Sequence, residues 1–127
     1  MSIQLDFSGE IVLVTGGATG LGFATAHAFG RCGATIALND LTEARVEAAC
    51  ERLRQESIAC HRYVADVRDA GAVSALITSI EEELGAPGVV VANAGLYPNT
   101  PFLEMPESEW DRVIDTNLYL PQTTTPA

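Results

Sequence analysis

A glycine-rich turn between an apolar run and a helical pattern is the feature that most constrains this chain. Residues 10–15 form a short β-branched run that is typical of a buried parallel strand. The run leads directly into Gly16, Gly20 and Gly22, which have the spacing GxxxGxG. Glycines at a strand exit and a helix start permit a tight turn and a close approach to the backbone. The N–H groups of the helix are then available to an anion such as pyrophosphate. The alternative is a plain strand-to-helix turn that is rich in glycine.

Strand and helix patterns alternate along the rest of the chain. The predicted strands are residues 10–15, 34–39, 58–65 and 89–91. The predicted helices are residues 20–32, 42–56, 69–84 and about 106–118. Such alternation predicts an α/β fold with a parallel sheet that is covered by helices on both faces. Right-handed crossovers then favour a doubly wound (Rossmann) sheet of about four strands in the order 3-2-1-4.

Apolar residues at helical spacing predict the face that each helix packs on the sheet. In the first helix these residues are Leu21, Ala24, Ala28 and Phe29. In the second helix they are Val46, Ala49 and Leu53.

An acidic residue follows the second predicted strand. Asp40 lies 20 residues after Gly20. A carboxylate at this place can accept hydrogen bonds from both ribose hydroxyls of NAD, and it would repel the 2′-phosphate of NADP. The glycine turn contains no arginine and Leu41 follows Asp40, so no adjacent residue offsets such a phosphate. The alternative is that Asp40 only caps the second helix, since Asp40 and Glu43 are spaced as a capping box and Thr42 is a second candidate cap.

Composition limits the partners of the chain. The net charge is −10 and all seven basic residues are arginines, which argues against nucleic acid as a partner. No apolar run approaches the ~20 residues of a membrane span and the N-terminus has no signal-peptide pattern, so we expect a cytoplasmic protein without a membrane partner.

The cysteines and histidines do not form a recognisable metal or disulfide pattern. We predict buried or half-buried thiols at Cys32, Cys50 and Cys60, with a regulatory thiol as the alternative. His27 and His61 lack neighbours at metal-binding spacing, so we expect no metal site.

Four motifs resemble those of the short-chain dehydrogenase/reductase family. Residues 15–22 resemble its TGxxxGxG cofactor turn, and Asp40 stands where members that prefer NAD have an acid. Residues 66–67 resemble its Asp-hydrophobic pair, which meets the adenine of the cofactor. Residues 93–95 resemble the end of its NNAG motif, with Ala92 in place of the first Asn. The resemblance covers about residues 5–119 and implies NAD rather than NADP as the cofactor.

The resemblance also implies which residues form the site. The implied cofactor-binding residues are Gly16, Ala18, Thr19, Gly20, Leu21, Gly22, Asp40, Leu41, Asp66, Val67, Asn93, Ala94 and Gly95. Residues 109–117 resemble the helix that carries the Asn of the family's catalytic tetrad, which places that role at Asn117. Taken singly, Asp66 is also a candidate helix cap, Asn93 a turn residue and Asn117 a residue at a helix C-terminus.

The rest of the family's catalytic tetrad, a Ser and the Tyr and Lys of a YxxxK motif, follows the Asn helix in the family pattern. The chain contains no lysine, so Tyr63, Tyr97 and Tyr119 have no partner to lower the pKa of a phenol that titrates near ~10. The family pattern is lost at residue 120. We therefore expect a truncated chain, with a Rossmann half-domain at 1–119 and a disordered tail at 120–127.

These observations predict the NAD-binding part of a short-chain dehydrogenase/reductase that is inactive alone. The family transfers hydride between an alcohol or ketone and a nicotinamide cofactor. The alternative is a non-catalytic nucleotide-binding module, or a subunit that a partner chain completes. The fourth strand, Val89–Val91, is predicted to be an exposed edge that pairs with a second copy or a complementing chain.

Overall fold

The computed structural model describes residues 3–95, 100–115 and 117. Within them the strands are β1 (Ile11–Val14), β2 (Thr35–Asp40), β3 (Cys60–Val64) and β4 (Val89–Val91). The helices are α1 (Gly20–Arg31), α2 (Glu43–Gln55), α3 (Ala70–Glu83) and α4 (Glu107–Ile114), the last preceded by a 3₁₀ turn at Phe102–Glu104. Each predicted element is present with slightly different ends. After α4, residues 115 and 117 are π-helical, and residue 118, the predicted end of the last helix, lies outside the described residues. The tail predicted at 120–127 lies outside the described residues.

All four strands are parallel and stand in the order β3-β2-β1-β4, which confirms the predicted topology. Val12 of β1 pairs with Ile36 of β2 on one side and with Val89 of β4 on the other. Because the strands are parallel, their carboxyl ends lie along one edge of the sheet. The chain adds β2 and β3 on one side of β1 and then places β4 on the other side. Open α/β sheets bind their ligands at the carboxyl edge, beside the point where the chain changes side in this way.

Alternate residues of the central strands belong to two separate hydrophobic clusters. Val12 and Val14 lie on the face that α1 and α2 cover, and Leu13 lies on the face that α3 covers. All three are fully buried. Burial on both faces explains why these strands are unbroken apolar runs without polar alternation. No helix of the described residues is long and apolar enough to cross a membrane.

The face that α1 buries differs from the predicted one. Leu21 is 81% exposed, and Ala24 and Ala28 are exposed as well. The residues that α1 buries are Gly22, Ala26 and Gly30. The prediction was wrong for Leu21, Ala24 and Ala28, whereas the fourth predicted residue, Phe29, is partly buried against the cluster on this face. Small residues form the part of α1 that lies closest to the sheet, and apolar spacing alone did not single them out.

The close packing of α1 is visible at both of its buried glycines. A β-carbon on Gly22 would collide with the carbonyl oxygen of Gly16, and one on Gly30 would collide with the side chain of Ile58. By contrast, the predicted face of α2 is confirmed, since its apolar residues are almost completely buried. These residues are Val46, Ala49 and Leu53.

Candidate cofactor-binding site

A cleft of about 600 Å³ lies at the carboxyl edge of the sheet. Most of the predicted cofactor-binding residues line it, namely Gly16, Thr19, Gly20, Leu21, Asp40, Leu41, Asp66, Val67, Asn93, Ala94 and Gly95. Its other lining residues are Asn39, Arg45, Ala65, Arg68 and Arg112. The segments that follow all four strands therefore contribute to one wall of the cleft.

Three predicted site residues lie outside this wall. Ala18 is buried behind it, and its N–H donates to Oδ2 of Asp40 over 3.1 Å. Gly22 packs behind the turn against Gly16. Asn117 is half-buried beyond the end of α4, and it does not belong to the described lining of the cleft.

The glycine turn combines close packing with an unusual backbone. Gly16 and Gly20 have positive φ angles of 60° and 58°. An L-residue with a side chain is strained there by roughly 1–2 kcal/mol. A β-carbon on Gly16 would lie 2.8 Å from Cα of Ala94, so the turn packs directly on the segment after β4. A β-carbon on Gly20 would meet no atom within 4 Å, which leaves open space where the cleft meets α1.

The amino terminus of α1 lacks the side-chain cap that α2 and α3 have. Thr42 accepts a hydrogen bond from the first turn of α2, and Asp69 accepts two from the first turn of α3. Thr19, at the same position of α1, makes no such bond, and the first turn of α1 has no acidic residue. Because this terminus lines the cleft, its N–H groups and partial positive charge are available to an anion there.

The carboxylate of Asp40 fixes the glycine turn to the end of β2. Asp40 is 6% exposed. Its Oδ2 accepts from the N–H of Ala18 over 3.1 Å, and its Oδ1 accepts from the N–H of Leu41 over 2.7 Å. The capping alternative for Asp40 is wrong, because Thr42 is the N-cap of α2. A carboxylate has about four acceptor positions, so about two remain for a ligand in the cleft.

Asp66 is tied to an arginine two residues further on. Its Oδ1 accepts from the backbone N–H and from Nε of Arg68 over 2.9 and 3.0 Å. Its Oδ2 accepts from Nε and Nη2 of Arg68 over 3.1 and 2.7 Å. These hydrogen bonds lower the pKa of Asp66 below its ordinary value. Asp69, and not Asp66, caps α3. The family resemblance implies that Asp66 contacts the adenine. For that contact, Arg68 must release some of its hydrogen bonds to Asp66.

Side chains also hold the end of β1 against the end of β4. Nδ2 of Asn93 donates to the carbonyl oxygens of Thr15 and Gly16 over 3.2 and 3.1 Å. In return, the hydroxyl oxygen of Thr15 accepts from the backbone N–H groups of Asn93 and Ala94 over 3.1 and 3.2 Å. Asn93 is therefore more than a local turn residue, since it links the glycine turn to the segment after β4.

Sequence reasoning missed several residues of this site. Nδ2 of Asn39 donates to backbone carbonyls of the β3 end, including that of Ala65 over 3.2 Å. Nη1 of Arg45 lies 3.8 Å from Oδ1 of Asp40. The sequence could have indicated Arg45 and Arg68, because each arginine lies within five residues of the aspartate that it contacts. Asn39 offered no such signal, since its partners come from another strand.

Tyr63 is not placed for acid–base work in the cleft. Its hydroxyl donates to Oε2 of Glu83 over 2.8 Å, and its ring packs in the cluster on the α3 face. Burial, followed by this hydrogen bond, raises the pKa of Tyr63 above its ordinary value. Tyr97 and Tyr119 lie outside the described residues. In the described ranges no cluster of His, Cys, Asp or Glu could hold a metal ion.

Comparisons with known proteins agree with this geometry. The sequence model of the short chain dehydrogenases matches residues 10–125. The 5-keto-D-gluconate 5-reductase of Escherichia coli strain K12 is 38% identical over 117 residues, which cover 92% of this chain and 46% of that protein. The 2-dehydro-3-deoxy-D-gluconate 5-dehydrogenase of Formosa agariphila is 36% identical over 123 residues, which cover 95% of this chain and 47% of that protein.

A solved structure gives the same result for the fold. The 2-keto-3-deoxy-D-gluconate dehydrogenase from Streptococcus agalactiae superposes with a TM-score of 0.84 at 34% identity, over 95% of this chain and 46% of that one. The chain thus spans about half the length of the relatives it matches. With the family's glycine turn, sheet order and sequence all present, the chain belongs to the short-chain dehydrogenase family.

Proposed function

We propose that the cleft binds the adenosine and pyrophosphate parts of a nicotinamide dinucleotide and prefers NAD to NADP. One observation carries the proposal: the uncapped amino terminus of α1 and the carboxylate of Asp40 line the same cleft. The first offers hydrogen-bond donors and positive potential, and the second offers acceptors at the end of the next strand. A dinucleotide needs both, because its pyrophosphate accepts hydrogen bonds and its adenosine ribose donates them.

Each part of the dinucleotide has candidate contacts in the described residues. The pyrophosphate would accept hydrogen bonds from the first turn of α1, where the open space beside Gly20 leaves room for it. The adenosine ribose would donate to the acceptor positions that remain on Asp40. The adenine would lie beside Asp66 and Val67, which follow β3 in the cleft wall. When bound, the nicotinamide supplies or accepts the hydride.

The preference for NAD depends on the balance between Asp40 and Arg45. A 2′-phosphate on the ribose would meet the Asp40 carboxylate, which is nearly buried and fixed by two backbone hydrogen bonds. The side chain of Arg45 is 59% exposed and lies 3.8 Å away, so it offsets this repulsion only in part. Asp40 should therefore dominate, and Arg45 should determine how well NADP is tolerated.

The activity we propose for the family segment is hydride transfer between an alcohol or ketone and the nicotinamide. We expect the chain alone to be inactive, because the family's Tyr–Lys pair needs a lysine and these 127 residues contain none. The half-buried Asn117 is proposed as the tetrad Asn on resemblance. All three relatives described above are named for keto- or dehydro-gluconates, so sugar acids are the first substrates to test with any longer protein that contains this segment.

Calorimetric titration of the purified chain with NAD and with NADP tests the binding proposal. We expect wild-type protein to bind NAD more tightly. Asp40→Asn keeps an acceptor for the N–H of Ala18 but removes the charge, and it should weaken NAD binding by roughly tenfold or more, since hydrogen bonds to charged groups contribute about 1.5–3 kcal/mol. It should also reduce the discrimination against NADP.

Two arginine variants complete the design. Arg45→Gln should weaken NADP binding more than NAD binding, whereas Arg31→Gln makes the same charge change outside the cleft and should alter neither. Circular dichroism shows whether each variant is folded. A folded wild-type chain that binds neither dinucleotide, or that prefers NADP, would overturn the proposal.

A further inference from the structure

Two cysteines contact each other in the core, on the face that α1 and α2 cover. Cys50 lies in the second half of α2 and Cys60 is the first residue of β3. Their Sγ atoms are 2.6 Å apart, and both residues are almost completely buried. Bonded sulfurs lie about 2.05 Å apart, so a movement of about half an ångström separates this contact from a covalent bond. The third cysteine, Cys32, is half-buried just beyond α1.

We propose that Cys50 and Cys60 are a peroxide-sensitive pair that closes into a disulfide between α2 and β3. The oxidant is hydrogen peroxide. One thiolate attacks a peroxide oxygen, the O–O bond breaks, and the products are a sulfenic acid and, after protonation, water. The second sulfur then displaces the sulfenic oxygen, which leaves as a second water. In total, two thiols and one hydrogen peroxide give one disulfide and two waters, and the sulfurs lose the two electrons that the peroxide gains.

The two sulfurs and the arginines near them affect how readily the pair forms a thiolate. The hydrogen bond between the two sulfurs lowers the pKa of the Cys50 thiol, and the charges of Arg54 and Arg62 act in the same direction, although burial opposes them. The same hydrogen bond and burial raise the pKa of Cys60. Because the thiolate is the nucleophile, one sulfur of the pair attacks the peroxide as the thiolate and the other resolves the sulfenic acid.

The position of the pair favours a small oxidant and an intramolecular product. Neither sulfur is open to solvent, and hydrogen peroxide is little larger than water. The guanidinium of Arg54 also donates to the carbonyl oxygen of Cys60 over 3.1 and 2.8 Å, which holds the start of β3 against the end of α2. The bond would join two elements that already pack together, at the amino end of β3 and therefore at the edge of the sheet opposite the cleft.

Peptide mapping of the full chain tests the proposal directly. Trypsin cleaves after arginine and places each cysteine in a separate peptide, residues 32–45, 46–52 and 55–62. The folded chain is treated with hydrogen peroxide, quenched with catalase, unfolded in iodoacetamide and digested. We expect peptides 46–52 and 55–62 to be joined, with the loss of two hydrogen atoms, while peptide 32–45 is alkylated. Dithiothreitol should restore all three free peptides.

The controls separate this site from general thiol oxidation. Cys32→Ser should form the same link to the same extent, and Cys50→Ala should form none. On a non-reducing gel the oxidised chain should remain a monomer. The proposal is overturned if peroxide leaves peptides 46–52 and 55–62 separate, either alkylated or over-oxidised, or if the link involves Cys32 or a second chain. The mapping uses wild-type protein, so it does not depend on whether a variant folds.

Discussion

Replacement of Gly22 by alanine is the sharpest test of how closely α1 approaches the sheet. A β-carbon there would collide with the carbonyl oxygen of Gly16 and would lie 2.5 Å from Nδ2 of Asn93 and 3.0 Å from Cα of Gly17. Two of these three neighbours are backbone atoms of the glycine turn, which cannot rotate away. Asn93 can move, but it would then lose its hydrogen bonds to Thr15 and Gly16.

The expected cost follows from these contacts. Alanine in place of glycine inside a helix normally stabilises it by about 1 kcal/mol. Overpacking a tight contact costs about 1–3 kcal/mol, and each hydrogen bond lost from Asn93 costs about 1 kcal/mol. The cost exceeds the gain, so Gly22→Ala should lower the free energy of unfolding by roughly 2 kcal/mol. The sign is the opposite of what helix propensity alone predicts.

Urea unfolding followed by circular dichroism measures this change. The midpoint should fall while the slope stays constant, since the native state remains compact. Gly71→Ala in α3 is the matched control, because its β-carbon would meet only the carboxylate of Asp69, at 3.3 Å. It should leave stability unchanged or raise it by up to about 1 kcal/mol. If Gly22→Ala were as stable as wild type while the control behaved as expected, the close approach of α1 would be refuted.

Two further predictions concern side-chain pairs. Tyr63→Phe should lower the free energy of unfolding by about 1 kcal/mol near pH 8. Because the pKa of Tyr63 is raised in the folded chain, this contribution is complete below its unfolded pKa of about 10 and is lost at higher pH, so alkaline urea titrations should show the two proteins converging. If Arg68 keeps Asp66 occupied in the complex, wild type should bind NAD and its hypoxanthine analogue, which lacks the adenine amino group, with equal affinity. Arg68→Ala should then favour NAD by roughly tenfold, and a strong preference already present in wild type would contradict this reasoning.

The sheet could be predicted because its pattern is local and repeated. β1 and β4 are unbroken apolar runs and β2 contains one at residues 36–38, whereas the edge strand β3 contains His61 and Arg62. Each helix between two strands is long enough to cross back to the start of the next strand. Chirality then leaves few topologies, and the order β3-β2-β1-β4 is one of them. The face of α2 was equally accessible, because Val46 and Leu53 are large apolar residues that stand out against charged neighbours.

Other parts of the site depend on distances that the sequence does not encode. Small residues form the buried face of α1, and the apolar pattern selected the exposed Leu21 instead of them. The links from Asn39 and Asn93 join strands that are 24 or more residues apart. Asp40 was predicted to meet a ribose, but its hydrogen bond to Ala18 depends on how the glycine turn folds back over β2. These contacts become visible only when the elements are packed.

The net charge of the whole chain does not predict the charge of its cleft. The chain carries 17 acidic and seven basic residues, and the total alone argues against any anionic partner. Yet three of the seven arginines line the cleft, whereas only two of the acidic residues do. Each of those two, Asp40 and Asp66, has an arginine beside it. With the amino terminus of α1 added, the cleft is locally positive within an acidic protein, and the outer charge that excludes a nucleic acid does not hinder a small dinucleotide that is bound inside.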